Sequence, residues 1–343
     1  MSSENLDQAF RTLLQPDINS TTLTLTRLPP PAPAPSSDEH LIRIYATAPC
    51  TGELLWAANY PAVANPTGNK LLVPCFDLSG VVVSAPPNSP FPPGTEVYTR
   101  TSAGRSGNAR EYSIALTSEL ARKPKTLDWV RAASVPLSAI TAQQALFEHG
   151  GLADWKVEKE ERERRNGAKR VLITAASGGV GIWILQLAKA AGVRDVVALC
   201  GTKNVEFVKS LGATEVVDYR KTNLREWVKQ DEDGRKVDLV IDCVGGKTLE
   251  QCWDCVKDGA TLLSISDVPE QRKPADCKAK DIKNYFFIMK PIGEQLDVVT
   301  DLLDEGVCEP VVDSVWDLEQ YEEALKKLES GHARGKIILK IRD

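Results

Sequence analysis

The sequence is poor in several features, and each shortage excludes a class of function. No apolar run approaches the roughly 18 residues that mark a membrane-spanning helix. Neither sign of charge dominates: 42 Lys and Arg stand against 47 Asp and Glu, a net charge of -5. That balance argues against nucleic acid or an anionic membrane surface as the main partner. Histidine is scarce, with His40, His149 and His332 alone in 343 residues. Eight cysteines are sparse as well, and Cys200 and Cys243 sit in apolar runs, which suits buried thiols in a reducing compartment. The one close pair is Cys252-Trp253-Asp254-Cys255. It reads as a redox pair, as half of a metal site, or as two thiols on the helix pattern TLEQCWDCVKDG; lack of a second C-x-x-C favours the last. The first residues, MSSENLDQAF, have neither an apolar signal core nor the Arg-rich, acid-poor bias of a transit peptide. A cytoplasmic protein is expected.

Proline is absent in a more telling way. Of 21 prolines, those from Pro16 to Pro93 crowd the front, and none falls between Pro136 and Pro269. A residue that breaks helices and removes a backbone donor is kept out of one long stretch. Two architectures in one chain follow, in keeping with about two domains for this length. In the front part, LPPPAPAPS is an extended loop, and LIRIYATA, KLLVPCFDLSGVVVSA, GTEVYTRT and AREYSIAL are short strands of a small barrel or sandwich. Residues 156–170 (KVEKEERERRNGAKR) mix both charge signs, as a solvated helix does. From RVLITAA onward, apolar strands alternate with helices: DVVALC, EVVDY, VDLVIDCVG and ATLLSIS are each set off by a helical pattern. That alternation predicts a parallel sheet covered on both faces, hence an α/β class. YFFIMK reads as an edge strand. A helix from Glu294, a short strand near Pro310, a helix over 317–330 and the strand KIILKI end the chain.

The turn after RVLITAA is Ala176-Ser177-Gly178-Gly179-Val180-Gly181, of the form A-x-G-x-x-G. Coming after a strand and opening a helix, it suits a pyrophosphate seated on the helix N-terminus. Gly178 permits close phosphate approach and Gly181 close helix–strand packing. At the end of the next strand an NAD site carries an acid for the ribose hydroxyl. Here the residues are Leu199-Cys200-Gly201-Thr202-Lys203-Asn204, with no carboxylate. Thr202 and Lys203 suit a 2′-phosphate, and Tyr219 adds a phenol, so NADP(H) is expected over NAD(H). The alternative for Lys203 is a solvated lysine at a helix start.

These residues carry a resemblance. VLITAASGGVGIWILQLAKAAG, SLGATEVVDYR, DLVIDCVGG and ESGHARGKIILKI resemble the medium-chain dehydrogenase/reductase superfamily. The likeness is strongest to its zinc-free, quinone oxidoreductase-like branch, including trans-acting enoyl reductases. It implies a GroES-like β-rich catalytic domain plus a Rossmann doubly wound parallel sheet, with the active site in the cleft. The first would take residues 1–137 and 306–343, the second 138–305. The resemblance puts Phe76, beside Asp77, where zinc members carry a histidine, and gives the third-ligand cysteine no counterpart. Residues 94–115 have no cysteine for a structural zinc lobe, and Cys50 alone cannot hold a metal. No metal is expected. A short-chain dehydrogenase is disfavoured too, because no tyrosine is followed four residues on by a lysine.

The resemblance further implies Thr141 and Cys243, Val244 and Gly245 near the nicotinamide ribose. Ser264, Ile265, Phe287 and Ile288 would border its amide, and Lys336 would reach the pyrophosphate. Their structural alternatives are a helix N-cap for Thr141, core for Phe287 and a solvated strand residue for Lys336. Trp56 and Arg105 are candidates on the substrate side, Arg105 for an enolate oxygen; the alternatives are core for Trp56 and, favoured, a solvated loop residue for Arg105. The proton donor is not identified; Tyr45, Tyr60, Tyr98 and Tyr112 lie in the front domain, and water is an alternative. The expected activity is hydride transfer from NADPH to a quinone or an α,β-unsaturated carbonyl. Rivals are an enoyl reductase partner of a polyketide synthase and a non-catalytic NADPH-binding sensor or scaffold. A monomer or homodimer is expected.

Overall fold

The computed structural model describes residues 8–343; most of the N-terminal stretch read above for a leader lies outside them. The chain divides into two compact units, one of residues 1–140 with 290–343, the other of residues 141–289.

The first unit opens with β1 (Phe10–Leu14) and β2 (Thr24–Leu28), an antiparallel pair. There follow β3 (Glu39–Ala48), β4 (Asp77–Ser84), β5 (Glu96–Arg100), β6 (Tyr112–Leu116) and the two-residue β7 (Ala121–Arg122). Period-two alternation turns Ile42 and Ile44 of β3 inward with Leu78 and Val97, all fully buried in one cluster. The helix Pro136–Gln143 contains the boundary at Ile140, and its Pro136 stands at the first helical position, where no backbone donor is lost.

The second unit is a six-stranded parallel sheet. Its strands are β8 (Arg170–Ile173), β9 (Asp195–Cys200), β10 (Glu215–Asp218), β11 (Val237–Asp242), β12 (Val256–Ser264) and β13 (Lys283–Phe286). They lie in the order β10-β9-β8-β11-β12-β13. Strand order reverses at β8, and in such sheets ligands sit beyond the carboxyl ends of the strands at that switch. The charged run forms the helix Lys159–Asn166, half of it exposed, with buried Asn166 bonded to the backbone of Ala153 and Ala191.

The chain then returns to the first unit with β14 (Val312–Asp317) and β15 (Lys336–Lys340). The larger sheet there runs β14-β15-β3-β4-β5-β7, with β6 paired to β3. The expected helix over 317–330 is a short 3-10 turn at Leu318–Gln320 followed by the helix Tyr321–Glu329, whose Tyr321, Leu325 and Leu328 pack on the core. The helix Gly293–Asp304 corrects the boundary drawn at 305. Tyr98 Oη donates to the Leu296 carbonyl at 3.0 Å, and a Cβ on Gly293 would lie 2.3 Å from the Leu120 oxygen. This helix therefore belongs to the β-rich unit.

Candidate functional site

The glycine turn follows β8 and starts the helix Gly179–Ala190. Ala175 takes a left-handed φ of 48°, Ala176 is fully buried, and Gly178 is the N-cap in an extended conformation. Gly181 is fixed by space: a Cβ there would fall 2.4 Å from the Ala175 oxygen and 2.6 Å from the Ala176 Cα. At Gly178 it would meet that same oxygen at 3.2 Å, a far milder contact. No side chain caps the helix, and the N–H groups of Gly179, Val180 and Gly181 have no acceptor among the described hydrogen bonds. A helix start with open donors is a ready anion seat. Ser177 is held beside it, its Oγ accepting from Asn204 Nδ2 at 2.9 Å.

At the carboxyl ends of β9 and β10 the structure adds a residue that the sequence reading missed. Thr202 Oγ1 donates to Asp218 Oδ2 at 2.7 Å, so a carboxylate is present after all, brought in from the neighbouring strand. Burial opposes the charge on Asp218. The Thr202 hydroxyl, the Arg220 N–H and the nearby Lys221 and Arg220 charges outweigh that and hold its carboxyl below the usual range. Tyr219 is exposed, with Arg220 over its ring at 5.4 Å from the centroid. A Cβ on Gly201 would lie 2.9 Å from the Tyr219 Oη. Glycine there lets the phenol close over the strand end. Thr202 bonds this carboxylate and Tyr219 follows it in the chain, while the cations acting on it are Lys221 and Arg220.

Beyond β11 and β12, the candidates Cys243, Val244, Gly245, Ser264 and Ile265 converge on another unforeseen residue, Asp242, which has 0% exposure. Its Oδ1 accepts from Thr174 Oγ1 at 2.8 Å and the Val244 N–H at 3.2 Å; its Oδ2 accepts from the Gly245 N–H at 2.8 Å and Ser264 Oγ at 2.9 Å. Gly245 has φ 77°, a left-handed conformation that favours glycine, and a Cβ there would come to 3.1 Å from the Asp267 Cβ. Phe287 is buried, tilted against the His149 ring at 4.5 Å, while Ile288 is exposed. His149 closes a π-helical stretch, Gln144–His149, and its carbonyl accepts from Tyr285 Oη at 2.8 Å. Thr141 is no N-cap: it lies buried inside the helix Pro136–Gln143.

Lys336, in the first unit, is neither a solvated residue nor a free basic group. It has 6% exposure, pairs with the fully buried Asp77 at 3.1 Å and donates to the Pro49 carbonyl at 3.3 Å. Burial alone would lower its pKa; Asp77, Cys50 and Glu53 more than offset this and hold it above the ordinary value. Glu53, three residues after Cys50, is pushed up to about 7, chiefly by burial. Its Oε1 accepts the Cys75 N–H at 3.1 Å, across a residue with φ 65°, and its Oε2 has no hydrogen-bond partner. Trp56 stacks on Phe76 at 5.7 Å between centroids, with Lys70 Nζ 5.3 Å and the Arg100 guanidinium 5.6 Å from the same ring. Arg105 is held by the buried Glu119, which also takes the Ser102 and Leu116 N–H groups. The Arg105 guanidinium thus braces the loop through Glu119.

These residues do not fit a catalytic zinc. Phe76 offers no ligand, burial pushes the Cys50 thiol up to about 11, and a lysine ammonium already neutralises Asp77. Among the described residues no group of three or more His, Cys, Asp or Glu is placed to hold a metal ion. Cys252 ends the helix Gly246–Cys252, and Cys255 lies just past it; both are fully buried and pushed upward by burial. Inert thiols are the outcome, with Cys255 off the helix that the pattern suggested. Of the candidate donors, Tyr98 and Tyr112 are core residues and Tyr45 stacks on Trp129 at 4.5 Å, while Tyr60 is exposed.

Comparison with known proteins gives consistent likenesses. The family model for zinc-binding dehydrogenases matches residues 211–339. The chain is 52% identical over 325 residues to a probable zinc-binding oxidoreductase, mitochondrial, of Arthroderma benhamiae, covering 95% of each chain. It is 31% identical over 316 residues to the chloroplastic quinone-oxidoreductase QR1 of Triphysaria versicolor, covering 90% of this chain and 92% of that one. The quinone oxidoreductase structure from Coxiella burnetii superposes with a TM-score of 0.79 at 23% identity, over 98% and 99% of the two chains. The cytoplasmic expectation is overturned by these relatives, whose names place them in mitochondria and chloroplasts. No helix among the described residues is long and apolar enough to cross a membrane.

Proposed function

Because this chain belongs to the medium-chain dehydrogenase/reductase superfamily and is an oxidoreductase, we propose that it is a metal-independent reductase using NADPH. Its substrate is a quinone or a C=C bond conjugated to a carbonyl. The observation that carries the reading is the pairing of an open, uncapped helix start at Gly178–Gly181 with a strand end where the Tyr219 ring, under Arg220, closes on Gly201, two residues before Lys203. NADPH supplies a hydride from its nicotinamide ring. The N–H groups of Gly179, Val180 and Gly181 bind the pyrophosphate. Lys203, Arg220 and the Tyr219 phenol meet the 2′-phosphate, while Asp218 stays anionic, holds the Thr202 hydroxyl, and is opposed by the Lys221 and Arg220 charges. Quinones and enones suit a site without a Lewis acid, since their conjugated carbonyl accepts hydride unaided.

Stopped-flow oxidation of NADPH against a panel of quinones and enones tests the activity. Turnover with at least one class, faster with NADPH than with NADH, is expected. Tight NADPH binding without turnover on any substrate would leave a binding protein in place of an enzyme for free electrophiles. Lys203→Ala is expected to erode the preference for NADPH; an unchanged NADPH/NADH ratio removes Lys203 from the 2′-phosphate pocket.

A further inference from the structure

Four cations gather in the β-rich unit around Phe76 and its neighbours, and three of them are spent. Lys336 pairs with Asp77, Arg105 with Glu119, and Lys70 Nζ donates to the Ala103 carbonyl at 2.7 Å. Arg100 is the exception. It is 3% exposed, and its guanidinium lies 5.6 Å from the centre of the Phe76 ring. Its side chain makes no hydrogen bond to a described residue, and its Nε is sealed without a partner. A guanidinium carries five N–H donors, and donors buried unmet are costly. Burial lowers the Arg100 pKa, against the pull of Asp77, Glu119 and Glu53.

The carboxylates that act on Arg100 have other partners. Asp77 Oδ1 accepts the Leu137 N–H at 2.7 Å, and its Oδ2 faces Lys336. Glu119 takes the Ser102 and Leu116 N–H groups besides Arg105. Glu53 accepts the Cys75 N–H through Oε1, and its Oε2, unpartnered as well, makes no bond to Arg100. These charges act through space and make a buried guanidinium tolerable, yet they leave its donors unused. The Phe76 ring attracts the charge without supplying an oxygen. Phe76 in turn stacks on half-buried Trp56, with the two planes 17° apart. An unused planar donor beside an aromatic pair suits a flat, conjugated ligand with an acceptor oxygen.

We propose that Arg100 is a catalytic residue of the reduction: it donates to the carbonyl oxygen of the substrate and stabilises the negative charge that hydride transfer places there. The assignment rests on the reductase reading above and names the donor which that reading leaves open. As the new C–H bond forms on the conjugated system, the π pair moves onto the carbonyl oxygen. The substrate gains the two electrons that NADPH loses in becoming NADP+. The enolate or hydroquinone oxyanion stays on the guanidinium until water gives it a proton. A donor already in place needs no reorganisation when the charge appears, and it holds an oxyanion more strongly than a neutral carbonyl. Its effect therefore falls on kcat.

The test has a binding arm and a kinetic arm. Calorimetry on the full chain compares 4-nitrophenolate, a flat ring bearing an oxyanion, with nitrobenzene, the same ring without it. The wild type is expected to prefer the phenolate about tenfold or more, the scale of a charge-assisted hydrogen bond. Arg100→Met is expected to lose that preference and keep its affinity for nitrobenzene. In NADPH oxidation the same variant is expected to lower kcat about a hundredfold, as loss of an oxyanion donor does, with the KM for NADPH unchanged. Arg100→Lys keeps the charge without the planar fork and recovers part of both. An unchanged kcat, an unchanged probe preference, or an equal loss for both probes overturns the assignment, the last because a merely structural role weakens them together. Where Arg100→Met does not fold, Arg100→Lys decides by the same criteria. A crystal of the wild type with 4-nitrophenolate whose oxygen lies away from Arg100 overturns it without any variant. Wild-type protein that turns over no quinone or enone overturns the reductase reading, and this assignment with it; wild-type turnover with no loss in the variants overturns this assignment alone.

Discussion

Lys336 and Asp77 are each buried with the other as ionic partner, so removing either strands a charge in a place water cannot reach. Lys336→Met is expected to cost about 3–5 kcal/mol of stability, read from the urea midpoint. Adding Asp77→Leu is expected to recover part of that loss, because the pair is then replaced rather than broken. Glu53 gives a pH signature of known sign. Its folded pKa of about 7 lies above the ordinary value of 4.5, so between those values the folded protein keeps a proton that the unfolded chain releases. Its contribution is fully present below about pH 4.5 and is lost as pH rises to about 7. Thermal melts from pH 4.5 to 7.5 are expected to show Glu53→Gln with a flatter profile than the wild type in that window. The sequence did not announce these roles. Lys336 reads as an exposed strand lysine because its burial comes from strands far away in sequence. Asp218 and Asp242 escape notice for a related reason: each ends an apolar strand, and their partners Thr202, Thr174 and Ser264 belong to neighbouring strands.

At the level of elements, the glycine turn is a contact between a helix and the strand that feeds it. Gly181→Ala places a methyl 2.4 Å from a backbone oxygen, where no side chain can swing aside. Helix and strand must part, at a cost of about 1–3 kcal/mol, and NADPH affinity is expected to fall with the thermal midpoint. Gly178→Ala meets the Ala175 oxygen at 3.2 Å and is expected to be the better tolerated of the two in the melt. This contrast follows the roles the motif gives to its glycines, and the strands and helices of the second unit were legible for a plain reason. Parallel strands buried on both faces are written as continuous apolar runs, and RVLI, DVVALC and VDLVID carry that pattern undiluted. The helix Gly293–Asp304 was legible as a helix, but not as a member of the first unit. Its amphipathic spacing says which face is buried, and nothing local says against what. Contacts to Tyr98 and Leu120, nearly two hundred residues earlier, make that choice.

For the molecule as a whole, the chemistry proposed depends on no metal. Prolonged dialysis against a strong chelator is expected to leave the thermal midpoint and the NADPH oxidation rate unchanged, with no zinc in the protein by elemental analysis. A structural or catalytic zinc would make both fall, because binding energy of that size is folding energy. The two-unit organisation was anticipated from where proline is and is not, and its discontinuity from the closing KIILKI run. The position of that run inside the sheet was not. β15 lies between β14 and β3, with Leu339 opposite Thr47 and Lys340 opposite Ala46. An interior strand made nearly three hundred residues after its neighbour β3 sets an order of events during synthesis. The second unit is continuous in sequence and can close as it emerges, whereas β3, already paired with β4 and β6, keeps its Ala46–Thr47 stretch open on one side until β15 has been made. During that interval this short open stretch is where a stray strand can pair with the front of the protein.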